Sequence, residues 1–338
     1  MIPPCQESHS MNGDLQNQYQ QLRSRACIYN HSRDGKIRIS GPDRKTFLHG
    51  LVTNEVNRLS AYSGNYALHL TPRGKILSAF WVFDRGNDLF LLAPPSCRMS
   101  LISTLDKYLI MEDAEFEDVS DSYSLISLIG PESESVARNL FPQLKIPVEL
   151  NTCATQQQNA GCETLFRINR CGELGYDLLL NAEQEEKVLS HCQKDQIPEA
   201  TPSSLEIRRM EAGIPAFGRE LTEERFPQEA GLFHAISFEK GCYIGQETVA
   251  RLQHRGHVNR ELTGFILETD TVPDGLPVFY QEEKPIGQIT SVCYSFALGK
   301  VIALGYLRSE KRKPGMSLQG QAEEKEVTAV VTDLPFLS

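Results

Sequence analysis

The stretch Lys240-Gly241-Cys242-Tyr243-Ile244-Gly245-Gln246-Glu247, running on into Thr248-Val249-Ala250-Arg251, is the most closely punctuated part of this 338-residue chain. Two glycines bracket a thiol, so the backbone there can take φ > 0 or let another group approach closely. A cysteine on such a turn is reachable. Lys240 and Arg251, with the amides of a helix expected to begin at Gln246, would favour its thiolate by opposite charge and dipole. A thiolate serves as nucleophile, redox sensor or metal ligand; the plainer alternative is a free cysteine filling a small buried gap.

Upstream of that stretch the pattern is mixed. Lys36-Ile37-Arg38-Ile39-Ser40 alternates as a half-buried strand does, and after the Gly41-Pro42 turn a helix is expected from an Asp43 cap to Asn54, with Phe47, Leu48 and Leu51 facing inward. Tyr66 to Leu70, Lys75 to Phe83 and Asp88 to Ala93 read as a meander, and Met99 to Leu109 as a helix. A second strand set begins at Ser124 to Ile129 and resumes around Leu165 to Ile168 and Tyr176 to Leu180, with helices near Gln184 to Cys192 and Ser203 to Gly213. Between them the Gln- and Thr-rich stretch from Leu150 to Gly161 is expected to be a surface loop.

Downstream the texture changes. Leu262 to Leu267, Pro277 to Tyr280, Ile286 to Cys293, Ile302 to Leu307 and Val327 to Thr332 are short apolar alternations cut by Gly and Pro, the pattern of a small antiparallel barrel. Residues 1–21 carry Pro3, Pro4, Gly13 and several glutamines without an apolar or Arg-rich segment, so a disordered tail and neither a secretory nor a transit peptide is expected.

Composition excludes several functions. A net charge of −10 argues against a phosphate-tracking surface, and with it against direct nucleic-acid binding. Arg251, His254, Arg255, His257 and Arg260 nonetheless form a local basic patch. The nine cysteines lie singly, without a CxxC pair or zinc-finger spacing, which suits a reducing, cytoplasmic setting and no permanently bound metal. No apolar run reaches the length of a membrane span.

The octapeptide, with Pro227-Gln228-Glu229-Ala230-Gly231-Leu232 before it and Gly256-His257-Val258-Asn259-Arg260 after it, resembles the signature of the YgfZ family, from about Leu22 to the C-terminus. That family is related to the T-protein of the glycine cleavage system and includes the mitochondrial iron–sulfur maturation homologue. The resemblance implies an α+β fold: a T-protein-like cloverleaf of two interlocked α+β subdomains over residues 22–260, and a small C-terminal antiparallel β-barrel over 261–338. It also implies tetrahydrofolate, or a folate derivative, as cofactor. Cys171-Gly172-Glu173-Leu174-Gly175-Tyr176-Asp177 is similar to the family's Gly-Glu-x-Gly-Tyr-Glu stretch, which gives Glu173 the role of accepting hydrogen bonds from the pterin. Tyr66 is similar in position to a tyrosine that packs on folate. The stretch Glu206-Ile207-Arg208-Arg209-Met210-Glu211-Ala212-Gly213 resembles a helix whose arginine lines the same hole, with Arg209 as the expected contact and a structural ion pair as the alternative.

A departure from the family separates the functions. T-proteins carry an Asp-Asp pair after the turn, one carboxylate of which interacts with the reacting folate nitrogen; this chain has Ser78-Ala79 there. An alanine cannot handle charge or a proton, and a lone serine is a poor base. The resemblance thus implies a folate-binding accessory protein for iron–sulfur assembly or repair rather than an aminomethyltransferase. Its reactive group is Cys242, within the motif Lys240, Gly241, Tyr243, Gly245, Gln246 and Glu247, and its partners are iron–sulfur assembly proteins or client enzymes. Two alternatives stay open: a folate-dependent one-carbon transferase or demethylase, and a folate-sensing regulator of RNA modification acting through a partner.

Overall fold

The computed structural model describes residues 9–158, 161–323 and 325–337. In chain order, helix α1 (His9–Ser24) leads into β1 (Cys27–Asn30), β2 (Gly35–Ser40) and α2 (Arg44–Leu51). The meander β3 (Gly64–Leu70), β4 (Ile76–Asp84) and β5 (Leu89–Ala93) is followed by α3 (Arg98–Tyr108) and β6 (Glu115–Asp118). Next come β7 (Ser124–Ile129), α4 (Ser133–Leu140), β8 (Thr152–Gln158), β9 (Gly161–Asn169), β10 (Leu174–Leu180), α5 (Ala182–Lys194), α6 (Pro202–Glu211) and α7 (Gln246–Arg255). The last unit is β11 (Arg260–Leu267), β12 (Val278–Gln281), β13 (Lys284–Ser295), β14 (Lys300–Arg308), β15 (Ser317–Ala322) and β16 (Lys325–Thr332).

The strands close into two five-stranded sheets, ordered β3-β4-β5-β2-β6 and β1-β7-β10-β9-β8, and one closed barrel, β11-β14-β13-β12-β15-β16. β1 belongs to one sheet and β2 to the other, so the chain crosses between them after Asn30 and again after Asp118. This double crossing interlocks the two α+β units. Their facing sheets meet through Phe83 and Phe90, whose rings lie 4.6 and 5.7 Å from that of Phe166. Fully buried aromatic rings contribute the largest apolar areas to such an interface. The barrel holds its own core around Phe265 and Phe279. Gly305 is required there, because a β-carbon at that position would lie 2.4 Å from the Gln288 carbonyl oxygen. The architecture is therefore the expected one of two interlocked α+β units with a C-terminal antiparallel barrel.

Three local expectations are corrected. Residues 9–21, expected to be disordered, are helical; residues 1–8 lie outside the described residues. Leu15, Tyr19 and Leu22 recur on one face of α1, and Tyr19 and Leu22 are fully buried. A narrow apolar stripe in a Gln-rich segment suffices to dock a helix even where the average composition is polar. The expected loop from Leu150 to Gly161 is largely strand β8, which pairs with β9 from Thr152↔Arg167 to Gln158↔Gly161. As the outer strand of its sheet, β8 needs no apolar residues on both faces. Asp43 precedes α2 without a side-chain cap, its carboxylate accepting instead from the Asp113 amide at 2.9 Å. No helix among the described residues is long and apolar enough to cross a membrane.

Candidate functional site

The β9–β10 turn carries the expected pterin carboxylate. Gly172 adopts φ +89, and a β-carbon there would lie 2.4 Å from that of Ala212, so the turn rests directly on the end of α6. This contact places Glu173 against that helix, where Arg208 Nη2 donates to its Oε1 at 2.5 Å. The other Arg208 arm donates to Glu211. Glu211 is wholly buried and also accepts from the Tyr19 hydroxyl, 2.9 Å from each carboxylate oxygen, and from Ser295.

Arg209 is not brought to Glu173. Its guanidinium donates to Glu206, to the buried Glu220 at 3.1 Å, to Ser291 of the barrel at 3.3 Å and to the Ile214 carbonyl. Consecutive residues on an α-helix point about 100° apart, so only one of two adjacent arginines can face the turn. Arg208 takes that direction and Arg209 joins α6 to the barrel.

Tyr66 stands on β3, half-buried, with its ring edge-on to Trp81 at 4.9 Å and roughly parallel to His234 at 6.1 Å. Burial raises its phenol above the ordinary value and lowers the His234 imidazole below its own, so both rings are neutral near pH 7. Arg170 lies over Trp81 at 5.1 Å, held by Asp34 at 2.9 Å and by Asp177 at 2.8 Å. Arg170 shares the β9–β10 turn region with Glu173. The aromatic wall and the carboxylate are thus linked through one short segment of chain.

The pleat of β4 decides what faces Tyr66. Tyr66 pairs with Trp81, Leu68 with Ala79 and His69 with Ser78. Residues two apart share a face, which places Ala79 with Trp81 beside Tyr66 and turns Ser78 to the other side with His69. Ser78 Oγ is buried there and has no hydrogen-bond partner among the described residues. Asp84, the next carboxylate downstream, is buried and paired with Lys45 at 2.5 Å. No carboxylate of β4 stands on the Tyr66 face.

The octapeptide packs against the β3–β4 turn. Gly245 takes φ +85 as the residue before α7, and a β-carbon on it would meet the Thr71 carbonyl oxygen at 2.6 Å. Gly74 of the turn approaches Thr248 in return. Cys242 is exposed, whereas Cys27, Cys97, Cys153, Cys171, Cys192 and Cys293 are buried. Burial pushes the Cys27 and Cys97 thiols up to about 12, and those of Cys171 and Cys192 to about 11. Lys240, expected to support a Cys242 thiolate, is directed elsewhere: its ammonium donates to the carbonyls of His49, Val52 and Asn54 at 2.6, 2.6 and 2.9 Å. The His49 and Val52 carbonyls are acceptors at the C-terminal end of α2, where a cation is favoured, and that of Asn54 follows just beyond the helix. Tyr243 is buried with its ring 5.1 Å from the same ammonium, and Gln246 and Glu247 open α7. Among the described residues no three His, Cys, Asp or Glu side chains are grouped to hold a metal ion.

Sequence reasoning missed Arg208, Trp81 and Arg170. The Arg208-Arg209 doublet and the single tryptophan of the chain were the available signals.

Residues 5–240 match the GCVT N-terminal domain, and residues 260–337 match the glycine cleavage T-protein C-terminal barrel domain. The chain is 25% identical over 329 residues to an aminomethyltransferase of Caldanaerobacter subterraneus, covering 94% of this chain and 87% of that protein. It is 26% identical over 326 residues to that of Halothermothrix orenii, with 95% and 90% covered. The crystal structure of glycine cleavage system aminomethyltransferase T from Bartonella henselae superposes with a TM-score of 0.85 at 20% identity, covering 96% of this chain and 89% of that one.

Proposed function

We propose, from the premise that this chain belongs to the glycine cleavage T-protein family, that it is a tetrahydrofolate-binding accessory protein of the YgfZ type, serving iron–sulfur cluster assembly or repair through Cys242. The observation that carries this reading is the face of β4 beside Tyr66, where Ala79 presents a methyl group in place of a carboxylate. The residues otherwise fit folate. Glu173 offers acceptors to the donors of a pterin edge, and Tyr66 with Trp81 offers an aromatic surface to its rings. When bound, tetrahydrofolate supplies nitrogen atoms able to carry a one-carbon unit. The chain's own residues would hold and orient it, while the exposed Cys242 thiol engages a partner.

A second reading is favoured by the relatives themselves, which are aminomethyltransferases of nearly the same length. A folate-dependent one-carbon transfer would need a charge-handling group near the folate nitrogen, and β4 offers none on the Tyr66 face.

Calorimetric titration of the reduced protein with tetrahydrofolate, under anaerobic conditions, tests the shared part of both readings. Saturable binding is expected, lost in a folded Glu173→Ala variant. Cys242→Ala should keep that affinity and fail to complement a strain lacking the family member. Efficient methylene transfer by the purified protein would replace the first reading by the second.

A further inference from the structure

The proposed pterin carboxylate is one end of a buried relay. Glu173 Oε1 accepts from Arg208, whose other arm donates to Glu211, which accepts from the Tyr19 hydroxyl and from Ser295. Tyr19 belongs to α1 and Ser295 to the barrel strand β13. The Glu211 carbonyl accepts in addition from the amides of Phe336 and Leu337, at 2.9 and 3.1 Å. The N-terminal helix, the barrel and the C-terminal segment therefore all converge on one glutamate, two contacts away from Glu173.

Resting on the folate reading above, we infer that Arg208 is the positioning residue of the pterin carboxylate, and that Tyr19 fixes Arg208 through Glu211. Three side-chain torsions leave an unrestrained glutamate with many rotamers, and ordering it on binding opposes affinity. A guanidinium donates along fixed directions in its own plane, so one arm anchored on a buried carboxylate fixes the direction of the other. Glu211 is wholly buried while the Glu173 side chain keeps one-fifth of its exposure. Arg208 thus has its charge balanced from the inside, and the residual negative charge falls on the relay member that a ligand can reach. Among the described residues Glu173 Oε2 accepts from no protein donor, and Oε1 retains a second lone pair. Two acceptors remain for two parallel donors.

The alternative is that the Arg208–Glu173 pair merely clips the β9–β10 turn onto α6. The two roles separate when affinity is measured for two ligands: tetrahydrofolate, and an analogue bearing hydrogen in place of the pterin 2-amino group. Wild-type protein is expected to prefer tetrahydrofolate by about tenfold or more, the worth of one hydrogen bond to a charged acceptor. In Arg208→Lys that preference should shrink about tenfold, and in Tyr19→Phe, which removes only a hydroxyl, about threefold, with affinity for the analogue nearly unchanged in both. Parallel loss of affinity for both ligands, in variants whose circular dichroism shows native folding, would reduce the pair to a clip and overturn the inference. Tetrahydrofolate binding that survives Glu173→Gln with its preference intact would remove Glu173 from the site and the relay with it. Absence of binding by folded wild-type protein would instead sink the folate reading as a whole.

Discussion

One ammonium group ties the start of the octapeptide to the end of α2. Lys240 is buried, and burial lowers its pKa to about 8, so the group still carries its charge at pH 7. It retains that charge in an apolar setting because three carbonyl oxygens of the α2 C-terminal region surround it. Lys240→Met keeps the length and apolar stem of the side chain but strands those acceptors. Leaving a buried polar group unsatisfied costs about 1–3 kcal/mol, so urea denaturation should show a loss of about 2–4 kcal/mol in this variant. A loss under about 0.5 kcal/mol would mean that water replaces the ammonium without penalty. The same residue shows how a motif misleads about roles: the sequence places a cation two positions from a thiol, but only the fold shows the cation turned toward the backbone of α2.

At the scale of elements, α7 and the β3–β4 turn are fitted to each other through glycine. Gly245 combines a left-handed backbone with a close approach to Thr71, so Gly245→Ala meets both a steric and a conformational obstacle. An expected loss of about 2–4 kcal/mol, with slower-moving changes elsewhere absent, can be read from thermal melts beside Gly218→Ala, where φ is +86 but no neighbour lies within 4 Å. Gly218→Ala should lose only the conformational part, about 1 kcal/mol. Equal losses would show that the approach to Thr71 contributes nothing. These elements also mark how far the sequence was legible. Five of the six barrel strands follow from short apolar alternations and the meander strands from apolar runs cut by turns, as do the helices α2, α3, α5 and α6 from their apolar spacing, whereas β15 is not among the strands expected from the sequence. Helix α1 escaped because Leu15, Tyr19 and Leu22 are few among glutamines, and β8 because an edge strand can be polar throughout. For the site, the Gly-Glu turn identified Glu173 as a candidate, while the choice between Arg208 and Arg209 depended on where α6 points, which is a tertiary property. The opposite faces of Ser78 and Ala79 follow from the pleat, yet which of them lies beside Tyr66 needed the β3–β4 register.

Across the whole molecule, the barrel is attached to α6 by a second buried cluster. Glu220 is wholly buried and accepts from Arg209, from the Ala216 amide and from Thr290 and Ser291 of β13 at 2.7 and 2.6 Å. Removing one partner of a buried ion pair costs about 3–5 kcal/mol because a charge is left uncompensated. That amount is comparable with the coupling expected between adjoining domains, so Glu220→Ala should split one cooperative unfolding transition into two, the barrel melting first. A single transition at lower denaturant would show that the other contacts of α6 with the barrel suffice. The chain contains one tryptophan, and it stands on β4, outside the barrel. Its emission consequently follows a single sheet, while the far-ultraviolet signal sums over all three. Two optical curves that coincide in the wild type and part company in the variant would date each melting event without any label. The same indole, touching Tyr66 and Arg170, gives the protein a built-in lamp beside the proposed pterin surface, one that a ligand absorbing in the near ultraviolet would dim by energy transfer.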